Sequence, residues 1–421
     1  MDTVTRMRIL FLTPQLPYPP QKGTALRNWG LISGLAERHE VALLSFLAAP
    51  PMEGVKVGET APLSAICRVE TVEAPVRTLR DRLRDMFTTR QPDMALRLAS
   101  ETYGRRLADW LAREAFDVVH VEGIEMAPYL DVIEATPPRF RGAGEGRPLV
   151  VFDDHNCEYL LQQRAFLTDL RIPGRWPGAA YSFVQWRRLR RYEAWACRRA
   201  DRVLAVSEAD AAALRTLVPG LEVTVVPNGI DTRAYTPTPA PPHIPTLIFT
   251  GTMDFRPNVD AVLWFAREVL PRVRAEVPEA HFVVAGQRPH RRLEGLRGDP
   301  AVTLTGWVED VRPHIAQAAV YVAPLRMGGG TRLKLLEAMA MGKPVVATRL
   351  GAEGYPVTDG RELLLADTPA DFAAAVVALL RAPERRAELV RAARAFVEQR
   401  YDWRVIVPRV EAAYGEMTND E

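Results

Sequence analysis

A chain of 421 residues is too long for one ordinary hydrophobic core and suits two domains of roughly 200 residues each. Its make-up, 48% hydrophobic and 25% charged, is that of a soluble globular protein. Its 54 basic residues nearly balance 52 acidic ones, and the net charge of +2 argues against a dedicated nucleic-acid binder. The three cysteines, Cys67, Cys157 and Cys197, are odd in number, far apart and without CxxC spacing. A disulfide framework or zinc site is therefore not expected, and a reducing cytoplasm is. The apolar run at 9–12 is soon interrupted by Pro14, so it reads as a strand and not as a secretory leader. No stretch approaches the roughly 20 apolar residues of a membrane span. The expected location is cytoplasmic, with peripheral docking on the inner face of the membrane left open.

In chain order, short apolar runs alternate with longer amphipathic stretches. The first half has such runs at 8–13, 40–46, 117–123, 148–155, 201–207 and 222–228. The second half has them at 246–251, 281–286, 302–306, 320–325 and 343–348. They are rich in Val, Ile and Leu at consecutive positions, as strands of a parallel sheet are when helices cover both faces. Repeated βα units predict a doubly wound α/β fold. Residues 236–245 carry five prolines in ten, which neither a helix nor a central strand accepts. They predict a linker between an N-terminal domain, 1–235, and a C-terminal domain, 246–400. Residues 401–421 predict a further helix, placed back on the N-terminal domain. Ligands of open parallel sheets sit at the carboxyl ends of the strands, and the two domains are expected to face each other across a cleft.

The sharpest local pattern spans 324–344. It leaves a strand, passes through Gly328-Gly329-Gly330-Thr331 and enters a helix with Arg332 and Lys334 at its start. Glycines let backbone N–H groups converge on a ligand. A helix start adds unpaired N–H groups and positive partial charge. With two cations nearby, this predicts a diphosphate site. Lys334, Glu337 and Met341 share one helix face on a wheel. A carboxylate there suits the two hydroxyls of a ribose. The residues also allow a plainer reading, an i,i+3 surface ion pair of Lys334 and Glu337 worth a few tenths of a kcal/mol.

This segment resembles the C-terminal signature of the family 4 glycosyltransferases of GT-B fold. So do Val226-Pro227-Asn228-Gly229-Ile230-Asp231, Gly306-Trp307-Val308-Glu309-Asp310-Val311 and residues 251–258. The N-terminal residues 17–27, with Asp154-His155-Asn156-Cys157-Glu158, resemble a subgroup associated with exopolysaccharide and PEP-CTERM-type systems. The resemblance covers nearly the whole chain. It implies two Rossmann-like domains and a metal-independent, retaining hexosyltransferase without a cofactor. The donor would be a nucleoside-diphosphate sugar, and the acceptor a glycan or a lipid-linked molecule. It further implies that Glu337 binds the ribose, that Val308 meets the base through its backbone, and that His155 lies near the transferred sugar. Two departures stand out. Gly329 occupies the position of the family's first glutamate, and only Arg256 remains of a basic pair after the first C-terminal strand. Arg332 and Lys334 are expected to take over the diphosphate, with Gly328, Gly329 and Gly330 supplying N–H groups.

The N-terminal strand ends offer Gly23, His120, Glu122, Asp153, Asp154, His155, Asn156 and Glu158. Gly23, Asp154, His155 and Asn156 are the candidates for substrate contact, with His155 grouped with Arg332 and Lys334 as catalytic. His155 can also be read as a strand-end histidine bonded to backbone, and His120 as a core histidine. The adjacent Asp153 and Asp154 lack the spacing that Mg²⁺ ligands usually have, and no metal is expected.

Residues 175–202 place eight arginines among Trp176, Tyr181, Phe183, Trp186, Tyr192 and Trp195. An anionic membrane surface would suit them, at about 1 kcal/mol per basic residue. So would a helix that packs its aromatics and solvates its arginines. A nucleotide-sugar epimerase and a non-catalytic two-domain binder remain as alternatives. An epimerase should show more carboxylates and histidines for proton abstraction.

Overall fold

In a computed structural model, the chain is described over residues 6–20, 23–47, 60–137, 147–172, 174–237, 245–328 and 330–415. It divides into two compact units, Met1–Pro227 with Ile406–Glu421, and Asn228–Val405. The boundary falls earlier than the proline-rich segment suggested, because 228–235 pack into the second unit. Ile230 bridges to Asp402 there, and Thr232 bonds the Asp402 carboxylate. Most of the proposed linker, 238–244, lies outside the described residues.

The first unit holds seven parallel strands. They are β1 (Arg8–Thr13), β2 (Glu40–Leu47), β3 (Arg68–Glu73), β4 (Val118–Glu122), β5 (Leu149–Asp154), β6 (Arg202–Ala205) and β7 (Val223–Val225). Their order across the sheet is β3-β2-β1-β4-β5-β6-β7. The central strands read as unbroken apolar runs because both faces are covered. In β1, residues 9–13 are all buried.

Five helices of this unit matter below. They are α1 (Gly23–Ala36), α2 (Leu79–Thr88), α3 (Glu101–Arg113), α4 (Glu158–Leu170) and α5 (Trp176–Arg199). The α3 helix turns Tyr103, Leu107, Trp110 and Leu111 into the core, an i, i+4, i+7, i+8 stripe. Its N-cap Ser100 accepts the Tyr103 N–H, which satisfies one of the orphan donors of a helix start.

The second unit holds β8 (Thr246–Thr250), β9 (His281–Ala285), β10 (Val302–Gly306), β11 (Val320–Ala323), β12 (Val345–Ala347) and β13 (Leu364–Leu365). The order is β10-β9-β8-β11-β12-β13, the Rossmann arrangement. Its relevant helices are α6 (Arg256–Trp264), α7 (Leu333–Ala340) and α8 (Pro383–Arg400). In both sheets the strand order reverses once, beside β1/β4 and beside β8/β11. Crevices open at such reversals, at the carboxyl ends of the strands.

The last helix, α9 (Trp403–Tyr414), lies mostly in the first unit. The Val407 side chain fills the space beside Gly34, where a Cβ would collide with it. Glu411 pairs with Arg38 and, at 3.1 Å, with His39. No helix among the described residues is long and apolar enough to cross a membrane. The three cysteines are buried thiols.

Candidate active site

In the second unit, β8 ends on Thr250 and turns through Gly251 at φ 149°. The neighbouring strand β9 ends beside Gly286, at φ 154°. These conformations suit glycine. The two turns are pressed together so closely that a Cβ on Gly286 would overlap the Gly251 carbonyl oxygen. Glycine there brings two strand ends into one floor.

The 324–344 segment closes over that floor. Gly328 (φ 103°) and Gly330 (φ 80°) are left-handed, Gly329 lies outside the described residues, and α7 begins at Leu333 after Arg332. Lys334 reaches from the first turn of α7 across the sheet reversal. Its Nζ donates to the Thr250 carbonyl at 2.7 Å and to Asn258 Oδ1 at 3.1 Å. The same ammonium stands 4.1 Å from the centre of the Phe249 ring. Desolvation of the ammonium, then the nearby Arg332, pull its pKa down to about 7, against the opposing field of Glu337. Arg332 lies against Gly328. Thus two cations and a glycine turn meet at the β8/β11 reversal, where an anionic ligand binds best.

Glu337, one turn further along α7, is partly buried. Burial raises its pKa although Lys334 opposes the shift. Tyr235 donates to Glu337 Oε1 at 3.4 Å. Arg394 of α8 holds the backbone carbonyls of Thr232 and Tyr235, and with them this short segment. Arg312 stacks over the Tyr235 ring at 5.7 Å and pairs with Asp310 at 2.8 Å. The Val308 loop is thereby tied to the same corner, with Trp307 59% exposed beside it. Arg256 is exposed on the first turn of α6. Asn228 donates to Thr331 Oγ1 at 3.3 Å, which fixes the residue between the glycines and α7. The wheel also placed Met341 beside Glu337. It keeps that register, its N–H donating to the Glu337 carbonyl at 3.0 Å, and is 2% exposed, a core residue.

Asn228 and Tyr235 were not singled out by their chemistry in the sequence. Their partners lie 103 and 102 residues away, and no local pattern encodes such a separation.

In the first unit, the β1/β4 reversal holds a buried polar cluster. Arg27 of α1, 1% exposed, donates from Nε and from its Nη2 nitrogen to the two oxygens of Asp153, both at 2.9 Å. A further nitrogen donates to the Val226 carbonyl at 2.9 Å. Asn28, with its amide nitrogen toward the carboxylate, donates to both oxygens of Glu122 at 3.0 and 3.1 Å. His120 stacks on Phe11 with centroids 4.5 Å apart, and its Nδ1 lies 2.9 Å from the Tyr414 hydroxyl.

Side-chain atoms of His120, Glu122 and Asp153 lie within 4.8 Å of one another, close enough to share a metal ion. Arg27 already brings a cation to Asp153. Its clamp on both carboxylate oxygens fits a structural network better than a metal centre.

His155 follows β5 at the rim of this cluster. Its Nδ1 is 3.1 Å from Glu122 Oε1, and the side chain is 13% exposed. Burial alone would discharge the ring. Glu122, Asp153 and Glu125 outweigh it and push its pKa up to about 9. Gly123, at φ 80°, makes room, since a Cβ there would stand 2.6 Å from His155 Cε1. The plainer reading of His155 had it bonded to backbone, whereas the structure gives it a carboxylate. Asn156 is partly buried beside it. Gly23 opens α1 and is exposed.

Asp154 requires a correction as a substrate ligand. It is 1% exposed. Burial and the adjacent Glu193 carboxylate raise its pKa well above the usual carboxylate range. Glu193 in turn accepts the Glu158 and Tyr159 N–H groups at 2.8 and 2.9 Å. Asp154 is thus an internal partner of the residue that caps α4. Side chains alternate along a strand, so Asp153 and Asp154 face opposite sides of β5.

Residues 22–234 match the family described as Glycosyltransferase Family 4, and 244–382 match Glycosyl transferases group 1.

The chain belongs to Glycosyltransferase Family 4.

Among curated relatives is the phosphatidyl-myo-inositol mannosyltransferase of Mycolicibacterium smegmatis. It is 31% identical over 205 residues, 46% of this chain and 52% of the relative. The enzyme of that name from Propionibacterium freudenreichii is 32% identical over 225 residues, 51% of this chain and 56% of the relative. The matched region thus spans about half the length of these relatives. Among solved structures, the sucrose-phosphate synthase of Thermosynechococcus elongatus aligns with a TM-score of 0.69 at 18% identity, covering 97% of this chain and 98% of that one. HepE of Anabaena in complex with UDP and glucose aligns at 0.63 and 17%, covering 98% and 100%. Likeness at such identities is one of fold, and the fold is GT-B, a pair of Rossmann-like domains.

Proposed function

We propose that this family 4 member is a retaining hexosyltransferase that moves a sugar from a nucleoside-diphosphate donor to a hydroxyl of a glycan or lipid-linked acceptor. The observation that carries the reading is Lys334, held by Thr250 and Asn258 at the β8/β11 reversal with Arg332 beside it.

The donor's C1–O bond breaks, and its electron pair stays on the β-phosphate oxygen. The acceptor oxygen forms the new C1–O bond, and its proton passes to the departing phosphate. Negative charge therefore grows where Arg332, Lys334 and the start of α7 supply donors, and preorganised donors of this kind carry much of such catalysis. Two fixed cations can serve the leaving group without a divalent metal, and activity should survive chelation. Glu337, with Tyr235 on one oxygen, is the acceptor pair for the ribose hydroxyls, and the Val308 loop serves the base. His155 and Asn156 serve the sugar, His155 as a charged donor and not as a nucleophile. The likeness of 17–27 and 154–158 to exopolysaccharide-associated transferases supports a role in polysaccharide assembly.

An epimerase would need a proton-abstracting group at the donor. Among the groups described there, Glu337 is engaged by Tyr235 and Lys334 by Thr250 and Asn258. The test is incubation with uridine, guanosine and adenosine diphosphate sugars, including glucosyl and mannosyl donors, with and without glycan and polyprenyl-phosphate-linked acceptors. Acceptor-dependent release of nucleoside diphosphate is expected. Conversion of the donor sugar without an acceptor, or binding with no turnover across the panel, would refute it.

A further inference from the structure

The aromatic residues of α5 were one expectation for a membrane-facing surface. The structure packs most of them. Trp186, Tyr192 and Trp195 lie on the core of the first unit, and Phe166, Phe183 and Trp186 stack together between α4 and α5. An exposed apolar row of this unit lies on α2, for which no membrane reading was made.

None of the α2 residues is buried. Leu79, Leu83 and Phe87 are 70%, 52% and 83% exposed. They recur at i, i+4 and i+8 and so form one stripe. Val76, just ahead of the helix, is 80% exposed. At 100° per residue, Arg80 and Arg84 flank the stripe on one side and Arg82 on the other, and all three are exposed.

The acids of this helix, Asp81 and Asp85, fall on the opposite face and are engaged. Asp81 caps the helix with Thr78, and Asp85 pairs with Arg77 at 2.8 Å and with Arg84 at 3.1 Å, while Arg82 pairs with Asp93 at 3.1 Å. That back face is anchored to α5. Arg188 donates to the carbonyls of Met86 and Gln91 at 2.6 and 3.2 Å, and Arg82 donates to the Tyr181 hydroxyl at 3.1 Å. The α5 helix brings Trp176, 65% exposed, and the exposed arginines Arg187, Arg190 and Arg191.

An apolar stripe edged by arginines, with its carboxylates on the opposite face and paired, matches an anionic bilayer, where leucine and phenylalanine enter the acyl boundary and guanidinium groups meet phosphates. A protein partner of ordinary composition would bring no excess of negative charge to both edges of so narrow a stripe. We propose that α2 is a lipid-contacting helix that lies on an anionic membrane surface, with Leu79, Leu83 and Phe87 toward the acyl chains. It is carried rigidly by α5, and the short stripe makes the attachment depend on charge. The proposal stands on this surface alone and not on the reaction, so a catalytically silent chain would bind equally.

The test is sedimentation of the full-length protein with vesicles of phosphatidylcholine alone or with 30 mol% phosphatidylglycerol (roughly a physiological anionic fraction). Binding to the anionic vesicles, weakening steeply with salt, is expected. Leu83→Glu with Phe87→Glu should cut the bound fraction at least about tenfold, with circular dichroism unchanged because both side chains are exposed. Arg80→Gln with Arg84→Gln should reduce it and flatten the salt dependence. The proposal is overturned if the wild type stays in the supernatant at low salt, or if the Leu83/Phe87 variant binds as the wild type does. It is also overturned if the wild type is dimeric without vesicles and this variant monomeric, which would make the stripe a contact between two copies.

Discussion

Lys334 is poised between charge states by its own surroundings, with a pKa near 7. A diphosphate beside it would favour the ammonium. Nucleotide binding should therefore take up a proton near neutral pH and weaken as pH rises above about 7. Calorimetry in buffers of different ionisation enthalpy reads the proton directly, and a buffer-independent heat would count against Lys334 as a phosphate ligand. Glu337→Ala should weaken nucleoside diphosphate binding about 10- to 100-fold, the scale of one lost charge-assisted hydrogen-bond pair, while the melting temperature holds. Preference over the 2′-deoxy nucleotide should fall with it.

His155 works in the opposite sense. Its native pKa, about 9, lies above the ordinary histidine value of about 6.5. The native state therefore binds the proton more tightly than the unfolded chain. The resulting stabilisation, on the order of 3 kcal/mol, is fully present below about pH 6.5 and is lost as pH rises through 9. Glu122→Gln should bring the His155 titration, followed by ring-proton NMR, down by at least one unit. An unmoved titration would show that Glu122 does not hold the charge.

At the scale of elements, the two glycine turns at the ends of β8 and β9 are the most demanding geometry in the second unit. Gly286→Ala adds a Cβ where the Gly251 carbonyl oxygen already sits, at a φ of 154°. A loss of roughly 2–4 kcal/mol is expected, together with nucleotide affinity, because Lys334 is held by the neighbouring Thr250. Chemical denaturation checks the first and titration the second.

The strands that could be read from sequence were those with apolar runs, and these are the interior strands of both sheets together with the edge strands β7 and β10. β3 and β13 were not foreseen. β3 carries Arg68, Glu70 and Glu73 among its six residues and buries only Val72, and β13 has two residues. Both are edge strands with too little buried surface to leave a pattern. The phosphate segment was legible because glycine, cation and helix start are local chemistry. Asp154 was misjudged because a strand-end carboxylate looks the same whether it faces a ligand or a helix cap. The apolar stripe of α2 has helical spacing, but periodicity alone does not distinguish a core-facing side from an exposed one. The aromatics of α5 divide, Trp186, Tyr192 and Trp195 packing on the core while Trp176 and Phe183 stay exposed, which composition alone does not foretell.

At the scale of the molecule, the first unit is assembled from both ends of the chain, whereas the second is one continuous stretch. Removing residues 406–421 takes away Val407 from beside Gly34, Glu411 from Arg38 and His39, and Tyr414 from His120. The truncated protein is expected to lose cooperative unfolding of its first unit, seen as a missing transition in calorimetry, while 228–405 keep theirs. A retained first transition would mean that α9 adds only surface packing.

The discontinuity also has a temporal side. During synthesis the residues of the second unit emerge from the ribosome as one uninterrupted piece, but the first sheet waits for the final helix before His120 finds its hydroxyl partner. Until α9 has emerged, the histidine–carboxylate network of the first unit lacks its Tyr414 member. Completion of the first unit is therefore tied to the delivery of α9, and chains released before it should be cleared as partly folded protein.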